Sequence, residues 1–477
     1  VSRSSRRTRI VLLVLLIAAF VLGGIVAEPL TIGLDILIHR DDRAVDLPPH
    51  PPAANHTEAD LQDLQDLLQL PRFDRSFSPE AKTAFLTGVD ALNARAGLMS
   101  DAAFAMAVSR LVALAGNGHT TVDLAERATR FGRAPIRFAW FADGLYVVRA
   151  KADAADLVGA HIVAIDGRPV EDALAAVAPF ISGTAERART QSPTILESPA
   201  LLQAIWDDTD GQTLDLTIAT ADGEENRRVA ALPPAPDPFA TQPILAIAAT
   251  EAESDWNSVL KGASQIPLSL RAPERVAYAE KLGRDGFYIR INANGDDFYG
   301  PLSRQLAQIA DRAPRGGWGW VVIDLRFNDG GDELKTMAFT RRLPELLRPD
   351  GTAWVLTGNA TFSAAIIAAA RIRHFLGSRA RIAGEKIGDH DRFWSDGGPP
   401  LSLTNSGIDI RHAEFLHDWI HGCWSVAKCY PYQRIWGVAA GDLSPDIAIG
   451  WRYADYARGR DTVLEKVKAL AESKPGE

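Results

Sequence analysis

Cysteine is nearly missing from this chain, with two residues in 477. That excludes a multi-disulfide scaffold and any zinc module built on four cysteines. Positive charge is not in excess either: 51 Lys and Arg stand against 60 Asp and Glu, a net charge of −9. Nucleic-acid binding through a broad basic surface is therefore not expected. Long apolar runs are lacking after Ala27, which excludes a polytopic membrane protein. No Gly-x-Ser-x-Gly occurs, so the usual signature of a hydrolase nucleophile elbow is missing. What remains is an ordinary globular composition, 47% hydrophobic and 23% charged. The chain is long enough to bury a core without staples and suggests about three domains at roughly 150 residues each.

The N-terminus stands apart. Arg3, Arg6, Arg7 and Arg9 precede an apolar run from Ile10 to Ala27, with no charge before Glu28. A basic flank followed by an apolar stretch is an export signal whose positive end stays inside. The run is long for a signal-peptide core, and Ile25-Val26-Ala27 is a poor cleavage site. We read it as an uncleaved membrane anchor in preference to a removed signal peptide. The rest of the chain is then expected outside the cytoplasm, in the periplasm or beyond the cell.

Five segments follow from the pattern: an anchor or signal at 1–30, a Pro-rich linker at 31–56, a helical unit at 57–135, a β module at 136–235 and an α/β domain at 236–477. Thr57-x-x-Asp60 opens leucines at helical spacing and reads as a cap better than Asn55-His56-Thr57 reads as a glycosylation site. Ser78-Pro79-Glu80 starts a second helix, and a third runs from about Asp101 to Leu114. Short apolar stretches at 136–141, 144–149, 160–165 and 214–219, closed by Asp166-Gly167 and Asp222-Gly223, predict strands. After Leu232-Pro-Pro-Ala-Pro-Asp-Pro238, strands at 286–291, 318–324, 353–356 and 380–383 alternate with helices at about 300–313, 334–347 and 363–376. Such alternation predicts a parallel sheet with helices on its faces.

Three short motifs bear on chemistry. Strand Val321–Arg326 runs into Asn328-Asp329-Gly330-Gly331, whose glycines allow backbone N–H groups to face an anion, or simply make a turn. Thr361-Phe362-Ser363-Ala364-Ala365 places a serine at a helix start, either as a nucleophile or as an ordinary N-cap. His119, in Gly116-Asn117-Gly118-His119-Thr120, is either a general base or a turn histidine. Ser363 and His119 are 244 residues apart, so only the fold can unite them.

Gly-His-Thr after a helical unit, then a β module, then Val-Ile-Asp-Leu-Arg-x-Asn-x-Gly-Gly and Thr-Phe-Ser-Ala-Ala resemble the tail-specific (C-terminal-processing) serine peptidases. The nearer branch is the one with the tricorn core and a histidine base. Arg379–Glu385, Asn405-Ser-Gly407, Ser444–Ile447 and Ala454–Asp461 extend the likeness to the C-terminus. The resemblance implies an α/β multidomain fold: a helical unit, a PDZ-like β module, and a mixed or parallel sheet of crotonase-like or ClpP-like type. It also implies Ser363 as nucleophile, His119 as base, and oxyanion donors at Gly330 or Gly331 and at Ala364. The expected activity is peptide hydrolysis through an acyl-enzyme, on peptide or protein substrates, with no cofactor.

The departures are specific. Where the processing branch has a lysine base, this chain has Lys386-Ile-Gly-Asp389, and Lys386 is out of register. The acid three residues past the serine is replaced by Ile366. The acid that would orient His119 has four candidates: Glu385, Asp389, Asp391 and Asp396. A non-catalytic, peptide-binding relative on the same fold is thus the alternative. Ser425-Val-Ala-Lys428 matches a penicillin-binding pattern without its companions. Cys423 and Cys429 are expected to pair as a disulfide in an exported domain; with His417 and His421 nearby, metal ligation is the weaker reading, so no metal is expected. Trp394, Trp419, Trp424 and Trp436 are expected in the core or as the wall of an apolar subsite.

Overall fold

The structure is a computed structural model that describes residue 45 and residues 47–123, 129–236, 243–248 and 255–473. The expected anchor lies outside the described residues. Among those described, no helix is long and apolar enough to cross a membrane. Leu47–Gly397 and Leu401–Glu477 form one compact unit.

Three long helices open it. Helix α1 (His56–Leu67) is capped by Asn55, whose side chain accepts from the N–H of Glu58 at 3.0 Å. Thr57, the expected cap, lies already inside the helix; asparagine two residues earlier satisfies the same free N–H groups. Helices α2 (Pro79–Asn93) and α3 (Asp101–Ala113) begin on Ser78 and Ser100, each accepting from the N–H three residues on. Asp63 and Asp66 of α1 are buried and accept backbone N–H groups of Thr404, Asn405 and Ser406 at 2.7–3.0 Å. Charge-assisted bonds of this kind fasten the N-terminal helices to the distant Asn405-Ser-Gly407 turn.

The β module is an antiparallel sheet of β1 (Ile136–Phe141), β2 (Gly144–Lys151), β3 (His161–Ile165), β4 (Thr213–Thr220) and β5 (Gly223–Ala230), in that spatial order. Helices α4 (Val170–Val177) and α5 (Ala185–Gln191) lie between β3 and β4 in sequence. Strand β5 and helix α5 carry too few apolar residues at regular spacing to be seen from the sequence.

The second sheet contains β6 (Ala277–Leu282), β7 (Gly286–Ile291), β8 (Trp318–Asp324), β9 (Leu347–Thr357), β10 (Ala380–Gly384) and a short final strand, Ile447–Ala448. Its order is Ile447–Ala448, β10, β9, β8, β7, β6. All pairings are parallel except β6 with β7. The run in β8 is apolar throughout because it is buried on both faces. Val321 and Ile323 enter the core under helices α6 (Leu302–Ala310), α7 (Met337–Leu346) and α8 (Ala364–Leu376). Trp320 and Val322 enter the opposite core, with α9 (Thr462–Glu472) and with Phe141 and Val148 of the β module. Ile366 is fully buried in the first core, so an acid at that position would have no water and no partner. A separate antiparallel pair, β11 (Arg392–Asp396) and β12 (Ala413–Asp418), completes the frame of the site.

Candidate active site

Ser363 stands between β9 and α8 with φ 52° and ψ −123°. A serine there is strained, at a cost of roughly 1–3 kcal/mol, and persists only where its surroundings enforce it. They do. Phe362 N–H donates to the Asn328 carbonyl at 3.0 Å, and Thr361 Oγ1 donates to the Leu325 carbonyl at 2.8 Å. Ser363 makes no side-chain cap bond, so its hydroxyl is not the ordinary N-cap of α8. Ala364 is the first helical residue, and its N–H has no intrahelical acceptor.

The end of β8 faces this serine. A Cβ on Gly330 would lie 2.5 Å from Ser363 Cβ, so only glycine permits the approach. Gly330 (φ 113°) and Gly331 (φ 119°) are both in the region that favours glycine. Their amides differ in use. Gly330 N–H donates to Asn328 Oδ1 at 2.9 Å, so that amide is already engaged. Gly331 N–H has no acceptor among the described residues, because the bridge to Asn294 uses the Gly330 carbonyl and the Asp332 N–H. Buried Asn328 and Asn294, joined amide to amide at 2.9 Å, hold the turn. Asn328 stood inside a recognised motif without a role, and Asn294 carried no local signal at all.

His119 is positioned by its neighbours in the turn after α3. Asn117 pairs with the Trp394 backbone in both directions, at 3.1 and 3.0 Å. Thr120 Oγ1 donates to buried Asp74 at 2.6 Å. The imidazole is stacked between Phe362 (4.3 Å) and Phe393 (4.9 Å). Of the four candidate acids, Asp389 meets it: Oδ2, fully buried, is 3.2 Å from His119 Nδ1, a close ion-pair contact in which neither atom makes a hydrogen bond to a described residue. A Cβ on Gly118 would lie 2.7 Å from the Phe362 ring and 2.8 Å from that carboxylate, so the glycine lets Asp389 and His119 approach. Asp396 instead binds His417 at 2.7 Å. Glu385 lines the cavity without touching the imidazole, and burial raises its carboxyl. Burial holds His119 below the usual imidazole range, against the opposite pull of Asp389. The ring is therefore neutral near pH 7, the state a base requires.

Ser363 and His119 line one cavity of about 740 Å³. Ser363 Oγ and His119 Nε2 are not hydrogen-bonded to each other; Nε2 has no partner among the described residues. Such bonds are often open before substrate arrives. Arg187, from α5, also lines the cavity, with its guanidinium 3.7 Å from the Phe362 ring centre. It lay in a stretch with no recognisable motif.

The other singled-out residues lie elsewhere. Ser425 and Lys428 are exposed and are not in the cavity wall. Lys386 is exposed, 3.9 Å from Glu186. Cys423 and Cys429 are joined in a disulfide, with Cα atoms 5.5 Å apart. Among the described residues no group of His, Cys, Asp and Glu is arranged to hold a metal ion. Trp419 is buried and Trp424 is exposed, and neither lines the cavity.

No family model matches the chain, and no curated protein matches it. Solved structures do. Mature CPAF complexed with lactacystin superposes with a TM-score of 0.53 at 14% identity, over 87% of this chain and 98% of that one. A CPAF mutant gives 0.56 at 12% identity, over 88% and 99%. The photosystem II D1 C-terminal processing protease also matches, at 12% identity over 87% and 98%, with a TM-score of 0.39, too low to bear on the fold. The chain has the CPAF fold over 87–88% of its length, and the α/β architecture is that expected of a tail-specific peptidase fold.

Proposed function

We propose that the protein is a serine peptidase acting on peptides or protein tails through a Ser363 acyl-enzyme. One observation carries the reading. A strained serine at the start of α8 sits against the Gly330–Gly331 turn, in the same cavity as His119, which has buried Asp389 behind it. In the proposed reaction His119 Nε2 takes the Ser363 proton as Oγ attacks the peptide carbonyl. The oxyanion forms between the N–H groups of Gly331 and Ala364, each such donor contributing about 10²–10³ in rate. His119 returns the proton to the leaving amine, and the amine departs. A water deprotonated by His119 then releases the acyl group. Asp389 fixes the ring tautomer and offsets the imidazolium charge. Strand β1, at the end of its sheet, contributes Phe138–Phe141 to the cavity wall, where a peptide would lie against it. The fold shared with CPAF, the disulfide and the N-terminal apolar run support a tethered, exported peptidase.

Labelling with a fluorophosphonate tests the nucleophile. Wild type should form a stable Ser363 adduct, found by mass spectrometry, and Ser363→Ala should not. A folded wild type that stays unlabelled at saturating reagent would favour the peptide-binding alternative, which the open Ser363–His119 contact motivates.

A further inference from the structure

The cavity wall is rich in arginine, and most of those arginines are matched. Arg133 and Arg137 meet Glu197, Arg326 meets Asp324 and Asp461, and Arg411 lies 3.1 Å from Asp123. Arg187 differs. Its guanidinium lies over Phe362, the residue before Ser363, and forms no ion pair with any described carboxylate. Asp389 and Asp329 act on it only through space. Its side-chain acceptor among the described residues is the amide oxygen of Gln191, which, with that amide turned to satisfy both groups, lies 2.8–3.2 Å from all three guanidinium nitrogens. Burial lowers its pKa to about 10, which leaves it cationic at neutral pH.

The position is built. A Cβ on Gly183 would lie 3.0 Å from Gly118 Cα, so the loop entering α5 rests directly on the His119 turn. Thr184 Oγ1 accepts the Arg187 N–H at 3.3 Å and caps that first turn. The cation is thus held over the nucleophile's neighbour by close backbone packing. A partly desolvated cation with only neutral ligands loses hydration without a matching anion. A guanidinium lying on an aromatic face keeps its edge N–H groups available, in the fork that fits a carboxylate.

We propose that Arg187 is a specificity-determining residue that receives a substrate carboxylate beside the scissile bond, so that the site selects acidic peptides. The carboxylate comes from an Asp or Glu side chain or from the free end of a peptide chain; both offer the same two oxygens. Asp329, exposed in the same cavity, opposes the anion and sets how strong the preference is. The inference rests on the peptidase reading only for the direction of the substrate, so its test is a binding measurement.

Peptide pairs differing only in Glu against Gln at each position flanking the cleaved bond, or in a C-terminal acid against its amide, are titrated into Ser363→Ala protein. At one position at least, the acidic member should bind about tenfold more tightly, as for a hydrogen bond to a charged group. The pair that responds identifies the source of the carboxylate. Arg187→Gln should bring that ratio to about one while the neutral peptide still binds. Arg187→Lys should narrow it, and Asp329→Asn should widen it. If Arg187→Gln does not fold, the last two variants carry the test. Equal affinity for acidic and neutral peptides in every pair, or a ratio that none of these variants moves, overturns the proposal. A wild type that forms no acyl-enzyme yet keeps the ratio would defeat the peptidase reading alone.

Discussion

His119 has two carboxylates in reach of its charge, Asp389 at its Nδ1 and Asp396 farther off, and still titrates below an ordinary histidine. Burial is the larger effect. Activity that needs the neutral ring should therefore persist to below the usual histidine range as pH falls. Asp389→Asn removes the charge that raises the imidazole pKa, so the acid limb of the pH–rate profile should move to still lower pH. The same change loses the ring orientation, and kcat should drop by about 10²–10⁴. A limb that moves to higher pH, or full activity in the variant, would contradict the role given to Asp389.

At the scale of elements, His119 is supported by a column of rings. Phe362, His119, Phe393, His417 and Tyr430 follow one another at 4.3, 4.9, 4.9 and 4.7 Å. The far end of the column is clamped by the Cys423–Cys429 loop, where Leu416 donates to the Lys428 carbonyl at 2.7 Å and accepts from Tyr430 N–H at 3.0 Å. Closing a loop of this length restricts the unfolded chain by about 2 kcal/mol. Cys423→Ser combined with Cys429→Ser should lower the free energy of unfolding in urea by that amount and slow fluorophosphonate labelling. Free thiols in protein recovered from intact cells would count against both the clamp and export, and an unchanged urea midpoint in the double variant would count against the clamp.

Across the whole molecule, Arg326 joins parts far apart in the chain. It bonds Asp324 at 2.6 and 3.0 Å and Asp461 at 2.7 and 3.0 Å, and Asp461 also caps α9 and accepts from Ser269 at 2.6 Å. Tyr288 completes the cluster by donating to Asp324 at 2.8 Å. Arg326→Met would leave two carboxylates buried without their cation, a loss of about 3–5 kcal/mol by urea unfolding. Burial works to raise the Asp461 carboxyl, but Arg326 and Ser269 hold it below the usual range. A lowered folded pKa stabilises fully above the unfolded value and fades as pH falls through the folded one. Wild type should lose this contribution only in strong acid, and a variant as stable as wild type at neutral pH would exclude the clamp.

Much of this protein was legible in short stretches of sequence. The cap at Ser78, the doubly apolar run of β8, the paired glycines and the serine at a helix start depend on residues within a turn or two of each other. Local sterics and local hydrogen bonds act at that range. The choice among Glu385, Asp389, Asp391 and Asp396 does not, because it depends on which loop reaches His119 after the sheet has closed. The same holds for the engaged amide of Gly330, for Asn294 behind it, and for Arg187, which reaches Phe362 only when the β module rests on the parallel sheet. Even Asn55, rather than Thr57, capping α1 reflects where the chain enters that helix. Periodicity and turn chemistry specify elements, whereas partners hundreds of residues apart are selected by strand order and packing, which alone bring such groups within the few ångströms where charge and hydrogen bonding act.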